Sequence, residues 1–273
     1  MDPTRTVAVV SDFGVESFYV GVMKAALYYA APGCNVVDVT HSITPHAIAQ
    51  GSFVLDTVFD FFPPGSVFLT VVDPGVGGER RNLAALIGDR YWVGPDNGLL
   101  TEVIARVGDA RAWVIDETKI EGLRARSPVG RTFLGRDVLA PTAGALVSGR
   151  EPCDVGVVAD EPLAGVEVAE VNVGPGKVAT VGRYVDSFGN ILTGITGDHL
   201  RSAFGDVAPE DIHVGVDGHA IGTLCNHYSQ HPPGTLMAVV NSWDRIEIAA
   251  ARGRAIDRCA SRVPEEIKIE LSQ

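Results

Sequence analysis

Cysteine is scarce: 273 residues contain four, at positions 34, 153, 225 and 259, and no two share a CxxC spacing. That scatter argues against both a thiolate zinc site and a disulfide framework. The seven histidines form no HExxH pattern. His213, His219, His227 and His231 read as loop and strand surface, so no metal is expected. No apolar run approaches the roughly 20 residues of a membrane span. Met1-Asp2-Pro3-Thr4-Arg5 runs directly into a strand and does not have the form of a signal peptide. A soluble, cytoplasmic protein is expected. Basic clusters are missing too. The formal net charge is -12, and the arginines of 124–136 and 252–258 are interleaved with apolar and acidic residues. They read as ordinary surface, and neither nucleic acid nor membrane is an expected partner. No internal repeat or low-complexity tract is present.

What is there is apolar chain enough for a large core. Hydrophobic residues make up 46% of the sequence, and the length suits one large or two modest domains. Strand and helix signals alternate through the first half. Val7–Val10 reads as a buried strand, and a helix follows from about Glu16 to Ala30 with Val20, Met23, Leu27 and Ala30 on one face. Then come a strand at Asn35–Val39, a helix at Ile48–Phe62 and a strand at Ser66–Val72. A hairpin follows, Ala84–Gly88 with Tyr91–Gly94, turning at Asp89-Arg90. A helix at Leu99–Val107, a strand at Ala112–Ile115 and a helix at Gly135–Leu146 complete the series. Such alternation predicts an α/β domain, its sheet mainly parallel and flanked by helices. After about Gly149 the texture changes to short strands: Val178–Val185, Ile212–Val216, Leu236–Val240, Ile246–Ala249 and Ile267–Leu271. A smaller, mostly β domain is expected there, a barrel or a sandwich. The boundaries are set at 1–170 and 171–273.

Chemistry-bearing residues collect in the loops. The run Val71-Val72-Asp73-Pro74-Gly75-Val76-Gly77-Gly78-Glu79-Arg80 ends a buried strand with a carboxylate, turns, and carries a guanidinium seven residues on. Ligands of open α/β sheets sit at such strand ends. An ion pair closing the loop is the equal alternative. Ser11-Asp12-Phe13-Gly14 follows the first strand, where a carboxylate can take a ribose diol or cap the next helix. Pro95-Asp96-Asn97-Gly98-Leu99-Leu100 reads as an Asx turn with a helix start. In Thr132-Phe133-Leu134-Gly135-Arg136-Asp137 the glycine leaves room for a ligand and Phe133 can line a pocket, while Arg136 and Asp137 can pair. Asp186-Ser187-Phe188-Gly189-Asn190 is a good hairpin turn and also offers an amide to a base edge. Asn241-Ser242-Trp243 ends a strand, where Ser242 can hold a carboxylate and Trp243 can cover a ligand.

Taken together and in this order, these motifs resemble the S-adenosyl-L-methionine (SAM) hydroxide adenosyltransferases, relatives of the SAM-dependent fluorinase and chlorinase. The resemblance runs nearly end to end and includes Tyr19-Val20-Gly21. It implies a barrel-like C-terminal domain and a homotrimer. SAM would lie between one subunit's N-terminal domain and its neighbour's C-terminal domain. By similarity Asp12 holds the ribose hydroxyls, Phe133 and Gly135 form the ribose pocket, and Asn190 contacts adenine beside Phe188. Tyr228 stacks near the base, and Asp186 and Ser242, next to Trp243, hold the methionine end. The implied reaction is substitution at ribose C5′ with methionine leaving. SAM is the substrate, and no cofactor is expected. Asp73 and Arg80 match the hydroxide-forming branch, where the halogenating relatives typically have Tyr at the position of Asp73 and Thr at that of Val76.

Two departures stand out. The hydroxide branch has His in a Thr-Phe-His-Gly-Arg-Asp context, and this chain has Leu134 there. Asp73 and Arg80 alone, His46 as a substitute, or another nucleophile such as chloride in a retuned pocket are the three readings left open. A non-catalytic SAM- or adenosine-binding protein is the rival from another class. Ser17 stands where relatives carry an Asp near the methionine ammonium.

Overall fold

Strand β1 (Thr6–Ser11) is buried from Val7 to Ser11, and the first half of the chain is built around it. The computed structural model describes residues 5–125 and 130–273. The N-terminal four residues and positions 126–129, inside one of the arginine-bearing stretches, lie outside the described residues. The chain divides into two compact units, Met1–Glu167 and Val168–Gln273.

In the first unit β1 is followed by α1 (Phe18–Ala30), β2 (Asn35–Thr40), α2 (Ile48–Val58), β3 (Val67–Val71), β4 (Asn82–Ile87) and β5 (Arg90–Pro95). Then come α3 (Thr101–Val107), β6 (Ala110–Ile115), α4 (Ala140–Val147), the single turn α5 (Pro152–Val155) and β7 (Gly156–Val158). The seven strands form one sheet in the order β2-β1-β3-β5-β4-β6-β7. Pairs β1–β2, β1–β3 and β3–β5 are parallel, and those of β4 and β7 are antiparallel. Five of the seven strands therefore point one way, as a mainly parallel sheet requires.

Local chemistry sets the boundaries. Helix α1 begins at Phe18 because Ser17 keeps an extended backbone and its hydroxyl accepts the Tyr19 N–H at 3.3 Å. Its buried stripe is Val20, Met23, Ala26 and Leu27, so Ala26 takes the place expected of Ala30. That stripe packs with Val7, Val9, Leu69 and α4. Met23 and Leu27, fully buried, each contribute about 1.5–3 kcal/mol. Helix α2 stops at Val58 and gives way to a single tight turn, where Phe59 stacks on Phe68 with centroids 5.0 Å apart. The β4–β5 hairpin turns at Gly88-Asp89, one residue before the expected place, with Gly88 at φ +56°. A two-residue hairpin favours glycine there.

The second unit runs β8 (Asn172–Gly174), β9 (Lys177–Val185), β10 (Ile191–Thr196), α6 (Gly197–Phe204), β11 (His213–Val216) and β12 (His219–Cys225). It ends with β13 (Leu236–Val240), β14 (Arg245–Ala250) and β15 (Lys268–Ser272). The order β10-β14-β13-β12-β11-β15-β9 closes on itself through β9–β10, leaving β8 appended to β9. It is a seven-stranded barrel and not a sandwich. Inward-facing Val178, Ile191, Val214, Ile248, Ile269 and Leu271 fill it. Strands β10 and β12 and helix α6 carry weak sequence signals. β10 is buried at five successive positions, and β12 has Gly222 in its middle. Helix α6 has only eight residues and is fixed at its start by a reciprocal Thr196–His199 cap. No helix among the described residues is long and apolar enough to cross a membrane.

Candidate active site

The chain leaves β1 towards β2 on one side and returns to β3 on the other, so β1 and β3 flank a topological switch point. The loops at their carboxyl ends border a cavity of about 330 Å³ in the first unit. Such crevices are where open α/β sheets bind ligands. Asp12 follows β1, Val71 ends β3, and Asp73 stands two residues beyond it, all three lining the cavity. His46, from the β2–α2 connection, lines it too and gives its backbone N–H to Asp12 Oδ2 at 2.9 Å. His46 sits at φ +71°, a left-handed conformation uncommon for histidine. Such strain persists where surrounding structure enforces it.

Asp73 is gripped by Arg80. Nε of the arginine donates to Asp73 Oδ1 at 2.7 Å, and a second guanidinium nitrogen donates to Oδ2. Arg80 also donates to Asn82 Oδ1 at 2.5 Å. The side chains of Asp73 and Arg80 are 5% and 12% exposed. The ion pair that closes the loop and the carboxylate that borders the cavity are thus one feature. Arg80 does not line the cavity and reaches it through Asp73. The loop needs Gly77 at φ +80°, where a Cβ would also meet the Arg131 carbonyl oxygen at 2.8 Å.

The apolar wall is aromatic. Phe133 meets Phe13 and Tyr19 edge-on at 5.8 and 5.0 Å, and the Arg136 guanidinium lies 5.3 Å from its centroid. Leu134 borders the cavity with 9% of its surface exposed and otherwise packs into the core. Gly135 opens a wide helical turn, Gly135–Leu139, ahead of α4. Such turns occur often at functional sites. A Cβ on Gly135 would come within 3.3 Å of Met23 Sδ and 3.4 Å of the Phe133 ring. Arg136 and Asp137 pair through two bonds of 2.6 and 2.7 Å, and that contact pushes the Arg136 pKa up. Asp137 also accepts the Gly130 N–H at 3.0 Å, and its backbone oxygen accepts Arg124 Nε at 2.9 Å. The pair is structural.

Asp96 is structural as well. Its Oδ2 accepts from Arg81, its Oδ1 accepts the Ala164 N–H at 2.8 Å, and Arg81 reaches the Pro162 carbonyl at 2.8 Å. Gly98, at φ +103°, admits the Val166 backbone at a distance no Cβ would allow. This loop fastens the end of the first unit to β5. Ser17 lines the cavity with its hydroxyl already used as the helix cap.

The second unit has its own cavity, about 730 Å³, bordered by the β9–β10 and β13–β14 turns and by Tyr228. Asp186, Phe188, Asn190, Tyr228, Ser242 and Trp243 all line it. The β9–β10 turn is held from within, with Asp186 accepting the Asn190 N–H at 2.8 Å and its side-chain amide at 3.2 Å. Asn241 shapes the other turn, its Oδ1 accepting the N–H groups of Trp243 and Arg245.

Three residues here escaped the sequence reading. Glu247 is 2% exposed, borders the cavity, and is met by the Tyr228 hydroxyl at 2.8 Å and Asn241 Nδ2 at 2.9 Å. Its signal was a glutamate on the apolar Ile246–Ala249 strand. Arg252 and Arg254 line the cavity and are not ordinary surface. Arg254 donates to the Ser187 carbonyl at 3.0 Å, and a Cβ on Gly189 would strike it. Among the described residues no three His, Cys, Asp or Glu side chains gather to hold a metal ion.

Both units match known proteins. The sequence model described as the SAM hydroxide adenosyltransferase N-terminal domain matches residues 7–156, and that of the C-terminal domain matches residues 183–268. A Thermus thermophilus protein named (R)-S-adenosyl-L-methionine hydrolase is 36% identical over 92% of this chain and 94% of its own length. An Actinoplanes protein named fluorinase is more distant, 28% identical over 72% of this chain and 74% of its own. The crystal structure of an uncharacterized conserved protein from Thermotoga maritima superposes with a TM-score of 0.88 at 30% identity, covering 98% of this chain and all of that one. The motif loops that border the two cavities lie within the matched segments, and the chain belongs to the SAM hydroxide adenosyltransferase family.

Proposed function

We propose that this protein cleaves SAM by substitution at ribose C5′, with water as nucleophile, giving adenosine and L-methionine. An O–C5′ bond forms as the C5′–S⁺ bond breaks, the sulfur leaves as a neutral thioether, and the water gives up a proton. The sulfonium is a good leaving group by itself, so no further cofactor enters this reading. The protein's task is to place a water in line and exclude others. The carrying observation is a carboxylate, Asp73, on the cavity wall, held by both oxygens on Arg80.

Arg80 balances the charge of Asp73 and fixes its direction. The remaining lone pairs can accept a water hydrogen, whereas a halide needs donors, which a carboxylate does not supply. His46 is the imidazole bordering the same cavity and is assigned to take the proton that Leu134 cannot. Asp12 is assigned to the ribose diol and Phe133, with Gly135, to the ribose face. In the second unit Asn190 and Phe188 are assigned to adenine, Tyr228 to stacking on the base, and Asp186 and Ser242, beside Trp243, to the methionine end. Each unit carries its own set of these groups on its own cavity, and the reading takes from the family resemblance a homotrimer with SAM held at subunit interfaces.

The test is incubation of purified protein with the R and S sulfonium epimers of SAM in halide-free buffer, with chromatography for adenosine and methionine, then repetition with chloride, bromide or iodide. Adenosine without halide is expected. A 5′-halonucleoside formed only with halide would move the protein to the halogenating branch. Bound but uncleaved SAM under every condition would make it a binding protein.

A further inference from the structure

A second set of polar groups lies beside the cavity and has no part in the reaction described. Ser11 Oγ is 2.8 Å from His41 Nδ1, His41 Nε2 is 3.0 Å from Asp38 Oδ1, and Lys24 donates to Asp38 Oδ2 at 2.8 Å. Ser, His and Asp in that order suggest a hydrolytic triad, but the burial runs the wrong way. A triad exposes its serine and buries its carboxylate. Here Ser11 is fully buried and His41 is 5% exposed, while the Asp38 side chain is 43% exposed. Ser11 Oγ also accepts the Phe13 N–H at 3.4 Å, so it faces back into the protein. No substrate carbon can reach it.

The network instead encloses Asp12. Ser11 precedes that residue, Phe13 follows it, and Gly14 N–H donates to the His41 carbonyl at 2.8 Å. Both sides of the Asp12 peptide are therefore fastened to His41, one through the ring and one through the backbone. One set of protons satisfies every link. Phe13 N–H donates to Ser11, the Ser11 hydroxyl donates to Nδ1 of a neutral imidazole, and Nε2–H donates to Asp38. We infer that His41 is a positioning residue for ribose recognition, holding the Ser11–Gly14 turn so that the Asp12 carboxylate faces the ribose diol. The inference rests on the assignment of Asp12 to that diol. A misdirected Asp12 loses its bonds to two hydroxyls and leaves binding of the base untouched.

The test compares binding of adenosine and 2′,3′-dideoxyadenosine by calorimetry. The wild-type protein should prefer adenosine on the order of 100-fold, the worth of two hydrogen bonds to a charged group. His41→Ala should reduce that preference to about 5-fold or less, chiefly by weakening adenosine. His41→Asn keeps an acceptor where Nδ1 stands and should restore most of the preference. Ser11→Ala removes the hydroxyl alone and should behave as His41→Ala does, which provides a second variant should the first not fold. Parallel weakening of both nucleosides, with the ratio intact, would overturn the inference and leave His41 a structural residue. Asp12→Ala separates the two ideas. If that variant keeps the preference, the diol assignment itself fails. If it loses the preference while His41→Ala and Ser11→Ala keep it, only the positioning role fails.

Discussion

Tyr228 donates its hydroxyl hydrogen to Glu247 Oε1 at 2.8 Å, joining a half-exposed ring to a carboxylate only 2% exposed. Burial and then the carboxylate bond push the phenol's pKa well above its ordinary value of 10.0. A raised folded-state pKa means that the stabilisation is complete below the unfolded pKa. It fades as the pH rises through the interval up to the folded value. Tyr228→Phe should therefore be less stable than wild type at neutral pH, and the gap should narrow above about pH 10. Urea melts at several pH values check this. Absorbance near 295 nm should show the Tyr228 transition moving down in Glu247→Gln, which removes the charge and leaves the burial.

Asp73→Ala should lower kcat at least about 100-fold if the carboxylate orients the attacking water, with SAM affinity changed less than about threefold. Arg80→Lys should also lower kcat, since an ammonium cannot reproduce the paired bonds. Single-turnover assays with direct titration of SAM binding separate the two effects. Unchanged turnover in Asp73→Ala would remove that residue from the reaction.

His46 and Leu134 both line the cavity. His46→Asn, which tolerates the left-handed backbone, should reduce hydrolysis by about 100-fold, the lower end of a general-base effect. Leu134→His should raise it, most visibly in the His46→Asn background. Rates measured across pH 6–9 in the double variant check whether the second imidazole replaces the first.

Thiol reactivity follows burial. Burial raises the pKa of Cys34, Cys225 and Cys259, while Cys153 is exposed. Cys153 should react rapidly with an aromatic disulfide reagent at pH 8, the half-buried Cys259 more slowly, and Cys34 and Cys225 only on unfolding. Cys153→Ser should abolish the fast phase.

Light scattering should give three times the 28.8 kDa chain mass if the trimer assignment holds. A monomer with full hydrolase activity would refute a site shared between subunits.

Much of this was legible because buried parallel strands and glycine turns leave strong local signals. Val7–Val10, the Asp73 loop and the Asp186–Asn190 turn all stand where the sequence placed them. What stayed hidden depended on partners distant in sequence. Whether Asp96 and Asp137 were structural could be decided only by Ala164 and Gly130, whose N–H groups they accept. Glu247 looked like one polar position on a barrel strand, because its partners lie 19 and 6 residues away. His41 drew no notice because Ser11 is thirty positions earlier.

The bond from His46 N–H to Asp12 ties the β1 and β2 loops into one unit, so neither can change length or course without disturbing the other. Val76 carries no such obligation, whereas Leu134 is bound by its packing in the core. Val76 is 41% exposed, and Leu134 meets the cavity with an aliphatic edge. The cavity lining thus mixes wired residues, which resist substitution, with unwired ones, which accept it. Asp73 is among the wired residues, since Arg80 holds both its oxygens, and replacing it would leave that guanidinium to be satisfied anew. Substitutions at Val76 can therefore reshape the cavity without unsettling the loops that carry Asp12 and Asp73.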